Sequence, residues 1–256
     1  MAIDRPVLSP DVLKRSLQRR VLFVVELVDP VTQSIVSERV DVECAGLKGR
    51  PIVNYSGRFV WLVEKDAWPT LISVTPGDKR FAPVTAAPPP RPADLEKAKP
   101  EERLARITLR PTPVYPFEGV TAIRGRLVEG PETESPAVGG ARVQLAWFDH
   151  KTTESPDDDE WMLSPFEAET EADGRFAGQF ALFLHLDMRK SAEPDIKNGL
   201  LKVRLQFTRG GVTPLTRVTP DNYPFIPDSP ATEGRVPEGR LLARELTLRW
   251  TELTRV

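Results

Sequence analysis

The sequence predicts an all-β chain, two antiparallel β-sandwiches in tandem behind a short N-terminal helix. Three observations carry that prediction. Proline makes up 26 of 256 residues, about twice ordinary usage. Proline breaks helix interiors and is tolerated at turns and strand ends. Apolar and polar residues alternate with period two in segment after segment, and no segment after residue 18 holds a long 3.6-residue period. Short motifs also recur in the same order along the chain, so one set of strands is expected twice.

Residues 1–19 read as an arm carrying a helix over residues 9–18. Ser9 caps the free amides, Pro10 fits the first helical position and Asp11 suits the positive end. Leu13 and Leu17 then share one face. Arg19-Arg20 lead into Val21-Leu22-Phe23-Val24-Val25, which Glu26 stops, and no small-residue cleavage site follows. The run is therefore read as a buried strand, and the chain as cytoplasmic when synthesised. Asn54-Tyr55-Ser56 is then a chance sequon. No stretch reaches the ~18 apolar residues that a membrane span needs.

The first sandwich is placed at residues 20–112. Arg39-Val40-Asp41-Val42-Glu43-Cys44 alternates through one strand, and Arg106-Ile107-Thr108-Leu109 closes the copy. Residues 82–103 read as an irregular loop, in which Pro88-Pro89-Pro90-Arg91-Pro92 favours polyproline II. Residues 113–118, within the run Pro111-Thr112-Pro113-Val114-Tyr115-Pro116, form a stiff extended connector. The second sandwich takes residues 119–256. Its strands include Arg142-Val143-Gln144-Leu145, Lys202-Val203-Arg204-Leu205-Gln206-Phe207 and Glu245-Leu246-Thr247-Leu248, with an insertion at 146–168. Period two gathers each apolar set on one face, which must be buried against a second sheet.

The repeat rests on four collinear pairs. Leu27-Val28-Asp29 is echoed by Leu127-Val128-Glu129, and Gly57-Arg58-Phe59 by Gly174-Arg175-Phe176. Val74-Thr75-Pro76 with Phe81 and Pro83 is echoed by Val218-Thr219-Pro220 with Phe225 and Pro227. Thr108-Leu109-Arg110 is echoed by Thr247-Leu248-Arg249.

In the second copy, Gly125-Arg126-Leu127-Val128 leads to Pro136 and Gly140-Ala141-Arg142-Val143-Gln144-Leu145. Thr170-Glu171-Ala172-Asp173-Gly174-Arg175-Phe176 follows. This order resembles the carboxypeptidase-regulatory-like β-sandwich, an Ig-like/transthyretin-like fold, over residues 119–183. The first copy keeps Ser56-Gly57-Arg58-Phe59-Val60-Trp61-Leu62 and has Glu38-Arg39 where the family has Gly-Ala. The resemblance implies interaction modules without chemistry of their own. Unsecreted bacterial proteins with such repeats resemble accessory components of phage-tail-like contractile injection particles. The run Leu109 to Phe117 is similar to linkers of that setting.

The composition points the same way. Lys plus Arg total 35 and Asp plus Glu 37, a formal net charge of -2, which disfavours a nucleic-acid partner. The single cysteine, Cys44, excludes an intrachain disulfide and reads as a buried structural thiol. His150 and His185 form no metalloprotease pattern, and no nucleophile elbow, P-loop or dinucleotide fingerprint occurs. No catalytic residue, cofactor, metal or small-molecule ligand is expected. Asp157-Asp158-Asp159-Glu160 lacks the alternating layout that converges calcium ligands, and reads as a solvated loop.

Trp147, Phe148, Trp161 and Phe166 flank that run. With Asp157, Asp158 and Asp159 they are the candidate interaction residues, because aromatics beside charges suit interfaces. A lid folded over the sandwich is the other reading of the same aromatics. Trp61 and Trp250 fall in strand patterns and read as core. The expectation is thus a non-enzymatic protein whose partners are other subunits of a larger assembly, bound through sheet edges or loops. The alternative is a carbohydrate- or surface-binding module using Trp61, Trp68 or Trp147.

Overall fold

A computed structural model describes residues 21–62, 67–130, 135–149, 160–172, 174–185, 193–210, 213–218, 235–243 and 245–255. The expected helix at 9–18, His150, the acidic run Asp157–Asp159, and Phe225 with Pro227 all lie outside these residues. What is described is nearly all β, with short 3-10 turns and no α-helix. The chain divides into two compact units, residues 1–110 and 111–256.

Unit 1 holds β1 (Val21–Val28), β2 (Val40–Ala45), β3 (Ile52–Val53), β4 (Phe59–Leu62), β5 (Leu71–Pro76), β6 (Phe81–Ala82), β7 (Val84–Ala86) and β8 (Leu104–Thr108). β9 (Arg110–Pro111) follows and pairs with β6. One sheet runs β3-β4-β1-β8 and another β2-β5-β7. β1 is central, antiparallel to β4 and parallel to β8, which explains its nearly unbroken apolar run. β2 shows the expected alternation, with Val42 and Cys44 buried and Asp41, Glu43 and Ala45 exposed. Trp61 is core, as the strand pattern implied.

The stretch 82–103 is less irregular than its composition suggests. Residues 84–86 are β7, bonded to β5, and Pro100–Arg103 form a 3-10 turn. Trp68 lies edge-on against Phe23 at 5.3 Å, and its indole N–H donates to the Pro89 carbonyl at 3.1 Å, tethering the proline run.

Unit 2 holds β10 (Thr121–Val128), β11 (Arg142–Asp149), β12 (Glu160–Glu169), β13 (Gln179–Leu184), β14 (Ile196–Lys197) and β15 (Leu200–Arg209). It continues with β16 (Thr213–Val218), β17 (Arg235–Pro237), β18 (Leu246–Arg249) and β19 (Leu253–Arg255). A small sheet runs β13-β10-β18. The larger runs β12-β11-β15-β16-β19, with β14 and β17 beside β15. One core joins them: Ile123 and Leu127 from β10, Phe180 and Leu182 from β13, Leu145 and Trp147 from β11, Leu205 and Phe207 from β15. Trp250, expected in the core, is half-buried against it. The described residues of the predicted insertion 146–168 are the outer part of β11 and most of β12, antiparallel neighbours that widen the large sheet. Several strands carry a proline, among them Pro165 in β12, Pro214 in β16 and Pro237 in β17.

The units share a hydrogen-bonding frame. In unit 1 the amides of Asp29 and Val36 donate to Ser34 and Leu27, each at 2.9 Å. In unit 2 those of Glu129 and Val138 donate to Pro136 and Leu127 at the same length. β10, like β1, has an antiparallel partner (β13) and a parallel one (β18). Two sequence echoes nonetheless fall elsewhere. Val74 lies on β5 beside β2, whereas Val218 lies on β16 beside β15 and β19. Phe59 opposes Val25, but its counterpart opposite Gly125 is Phe180, not Phe176. The 3-10 turn Gly174–Phe176 precedes the strand start and displaces the match.

Gly125 allows that placement. A Cβ there would lie 2.5 Å from Cζ of Phe180 and 3.1 Å from the Leu246 carbonyl. The ring occupies the space a side chain would need, a known cross-strand use of glycine beside an aromatic. The connector is likewise docked on unit 2. Tyr115 and Phe117 are buried, Phe117 stacks on Phe183 at 6.1 Å, and Arg124 donates to the Tyr115 carbonyl.

Candidate interaction surfaces

The four predicted aromatics are distributed over three places. Trp147 points inward and is 3 % exposed, so it belongs to the core and not to a surface. The strand period puts its neighbour Phe148 on the other face of β11. There Phe148 meets Trp161 of β12, directly across the ladder, edge-to-face at 5.1 Å. Lys202 Nζ stands 3.9 Å above the Phe148 ring, and the Arg204 guanidinium carbon 4.5 Å above that of Trp161. Such pairs contribute roughly 0.5–2 kcal/mol each. Leu163, two residues along β12, is 49 % exposed. The outer face of the large sheet thus carries two rings under two cations, with an exposed leucine alongside.

Phe166 sits at the far end of β12. Its ring lies 4.4 Å from that of Phe183 and 5.7 Å from that of His185. It closes over the aromatic group that holds the connector, the one residue of the set that behaves like a lid. Pro165 and Ser164, between the two groups, keep them apart along the strand.

A surface that the sequence reading passed over lies in unit 1. The β3–β4 turn carries Tyr55, whose side chain is fully exposed, and beside it Ile52 and Val53 at 53 % and 48 %. The turn is tightly held. The Asn54 carboxamide oxygen accepts from the amides of Ser56 at 3.0 Å and Arg58 at 2.9 Å. The Asn54 amide donates to the Arg58 carbonyl at 2.9 Å, and that of Gly57 to the Asn54 carbonyl at 3.0 Å. The signal was available: Asn-x-x-Gly between two apolar runs is a turn with an Asx bond.

Two ionic groups serve structure. Glu26, nearly buried on β1, accepts from Arg58 Nε and Nη2, both at 2.6 Å, with Arg106 Nε at 3.3 Å. Asp195 pairs with Arg235 at 2.8 Å, both side chains about nine-tenths buried. Burial pushes the Cys44 thiol up to about 12. Among the described residues no three His, Cys, Asp or Glu side chains come together as a metal site. Of the tryptophans of the carbohydrate alternative, Trp61 and Trp147 are buried, and Trp68 is half-buried with its indole N–H bonded to Pro89.

The chain matches no protein-family model and no curated protein. Among solved structures it is similar to a streptococcal ancillary pilin, at 10 % identity and a TM-score of 0.23. The match covers 89 % of this chain and 62 % of the pilin chain.

Proposed function

We propose that the chain is a non-enzymatic structural component that binds other protein subunits in a larger assembly. In this reading it consists of two β-sandwiches of the Ig-like/transthyretin-like type, related by duplication and cytoplasmic as synthesised. The shared frame around β1 and β10 supports the duplication. The observation that carries the binding role is the β3–β4 turn. Four hydrogen bonds hold it, and it presents Tyr55 fully to solvent beside the exposed edge strand Ile52–Val53. Aromatic anchors on rigid turns bury much area at little entropic cost. A fully exposed aromatic on a fixed turn beside an apolar edge strand serves an interface rather than a monomer. A contractile injection particle is the assembly that the carboxypeptidase-regulatory-like resemblance of residues 119–183 suggests.

The test is affinity purification of the tagged full chain from its own host, beside a Tyr55→Ala/Ile52→Ser variant of equal thermal stability. The reading expects partner subunits in fixed stoichiometry with the wild type and their loss with the variant. Recovery of the wild type alone as a monomer, or of the same partners with both proteins, overturns it.

A further inference from the structure

The outer face of the β3-β4-β1-β8 sheet carries a cleft of about 640 Å³. Its floor is one cross-strand row: Val24 of β1 stands between Val60 of β4 and Leu104 of β8. The segment entering β8 walls one side through Ala98, Pro100 and Glu101. A solvated sheet face ordinarily carries polar side chains at such positions, so an apolar row beneath a wall forms a seat for an apolar body.

The two ends of the seat differ in charge balance. At one end Arg58 lines the cleft, but its guanidinium is already committed to Glu26, which Arg106 also approaches. At the other end stands Arg103. Its Nη1 donates to the Val21 carbonyl at 2.6 Å, and its Nε is shielded from solvent with no acceptor. No carboxylate of the described residues lies within ion-pair distance of it. An anion meeting the guanidinium at the head of the cleft would balance this charge.

We propose that this cleft binds an amphipathic monocarboxylate, a small molecule with an unbranched apolar body and one anionic head. The body lies along Val24, Val60 and Leu104, and the head meets Arg103. The affinity comes from the floor and the sign of the head from the arginine.

Isothermal titration of the full chain with decanoate, below its micelle concentration, tests this, with decyltrimethylammonium as the cation of equal length. The proposal expects one saturable decanoate site per chain and no comparable site for the cation. Arg103→Gln should weaken decanoate about tenfold, the loss of one charge-assisted contact. Arg103→Lys should retain most of the affinity. Glu101→Gln removes a like charge from the exposed rim and should tighten binding about twofold, a gain that an unfolded variant cannot mimic. Arg106→Gln, outside the cleft, should leave binding unchanged. Absence of a saturable site, equal binding of the cation, or indifference to both Arg103→Gln and Glu101→Gln overturns the proposal.

Discussion

Gly125→Ala adds one methyl group at the point where β10 meets β13. Its Cβ would stand 2.5 Å from Cζ and 2.9 Å from Cε1 of Phe180. An ordinary carbon contact needs about 3.5–4.0 Å, so the ring must retreat by about 1 Å. It has little room, being 1 % exposed and set edge-on to Phe207 at 5.9 Å. Overpacking of this kind costs roughly 1–3 kcal/mol. Replacing glycine by alanine returns about 0.4–1 kcal/mol by restricting the unfolded chain. The net expectation is a loss of about 1–2 kcal/mol, a fall of about 3–8 °C in the Tm of unit 2.

Urea unfolding of four proteins isolates the cause: wild type, Gly125→Ala, Phe180→Leu and the double variant. Phe180→Leu removes the atoms that the new methyl meets and has a cavity cost of its own. In the double variant the overpacking is gone, so it should be more stable than the sum of the single effects by about 1 kcal/mol or more. Additive effects, or a Gly125→Ala protein within about 0.5 kcal/mol of wild type, would refute the claim that the ring dictates the glycine.

Gly178 has φ of +74°, and a Cβ there would lie 2.5 Å from the Leu127 carbonyl oxygen. Gly178→Ala should therefore cost more than Gly125→Ala in the same urea assay, because backbone cannot yield as a ring can. Asp195→Ala strands the buried Arg235 guanidinium and should cost about 3 kcal/mol, with Asp195→Asn costing less, by thermal or urea unfolding. Cys44 should react with a disulfide reagent at pH 8 at least about a hundredfold more slowly than in urea, since only the thiolate attacks. Its folded pKa is raised from 9.0 to about 12. The stability it contributes is therefore complete below pH 9 and is lost as pH rises from there towards 12. Cys44→Ala should flatten that alkaline decline relative to wild type, and an unchanged decline would count against a buried thiol.

Strand content was readable because period-two alternation is local: β2, β8 and β15 lie where Val42, Ile107 and Leu205 mark buried faces. Pairing was less readable, because it is decided between segments far apart. The Gly-Arg-Phe echo looked equivalent in sequence, yet a 3-10 turn moves the paired aromatic on to Phe180. The aromatic set around the acidic run looked like one patch. In the structure, alternation sends Trp147 inward and Phe148 outward, and β12 is long enough to carry Phe166 to a separate cluster. Tyr55 went unnoticed because its importance lies in what surrounds it, a fixed turn and an open strand edge, rather than in its residue type.

The prolines within strands have a consequence for behaviour at high concentration. Pro165 interrupts the amide row of β12, one of the two edge strands of the large sheet. A foreign strand arriving there finds no continuous run of donors, so it cannot extend the ladder by more than a few residues. Pro51 stands directly before the short edge strand β3 and limits that border too. These two edges are thereby poor templates for strand pairing between copies of the chain.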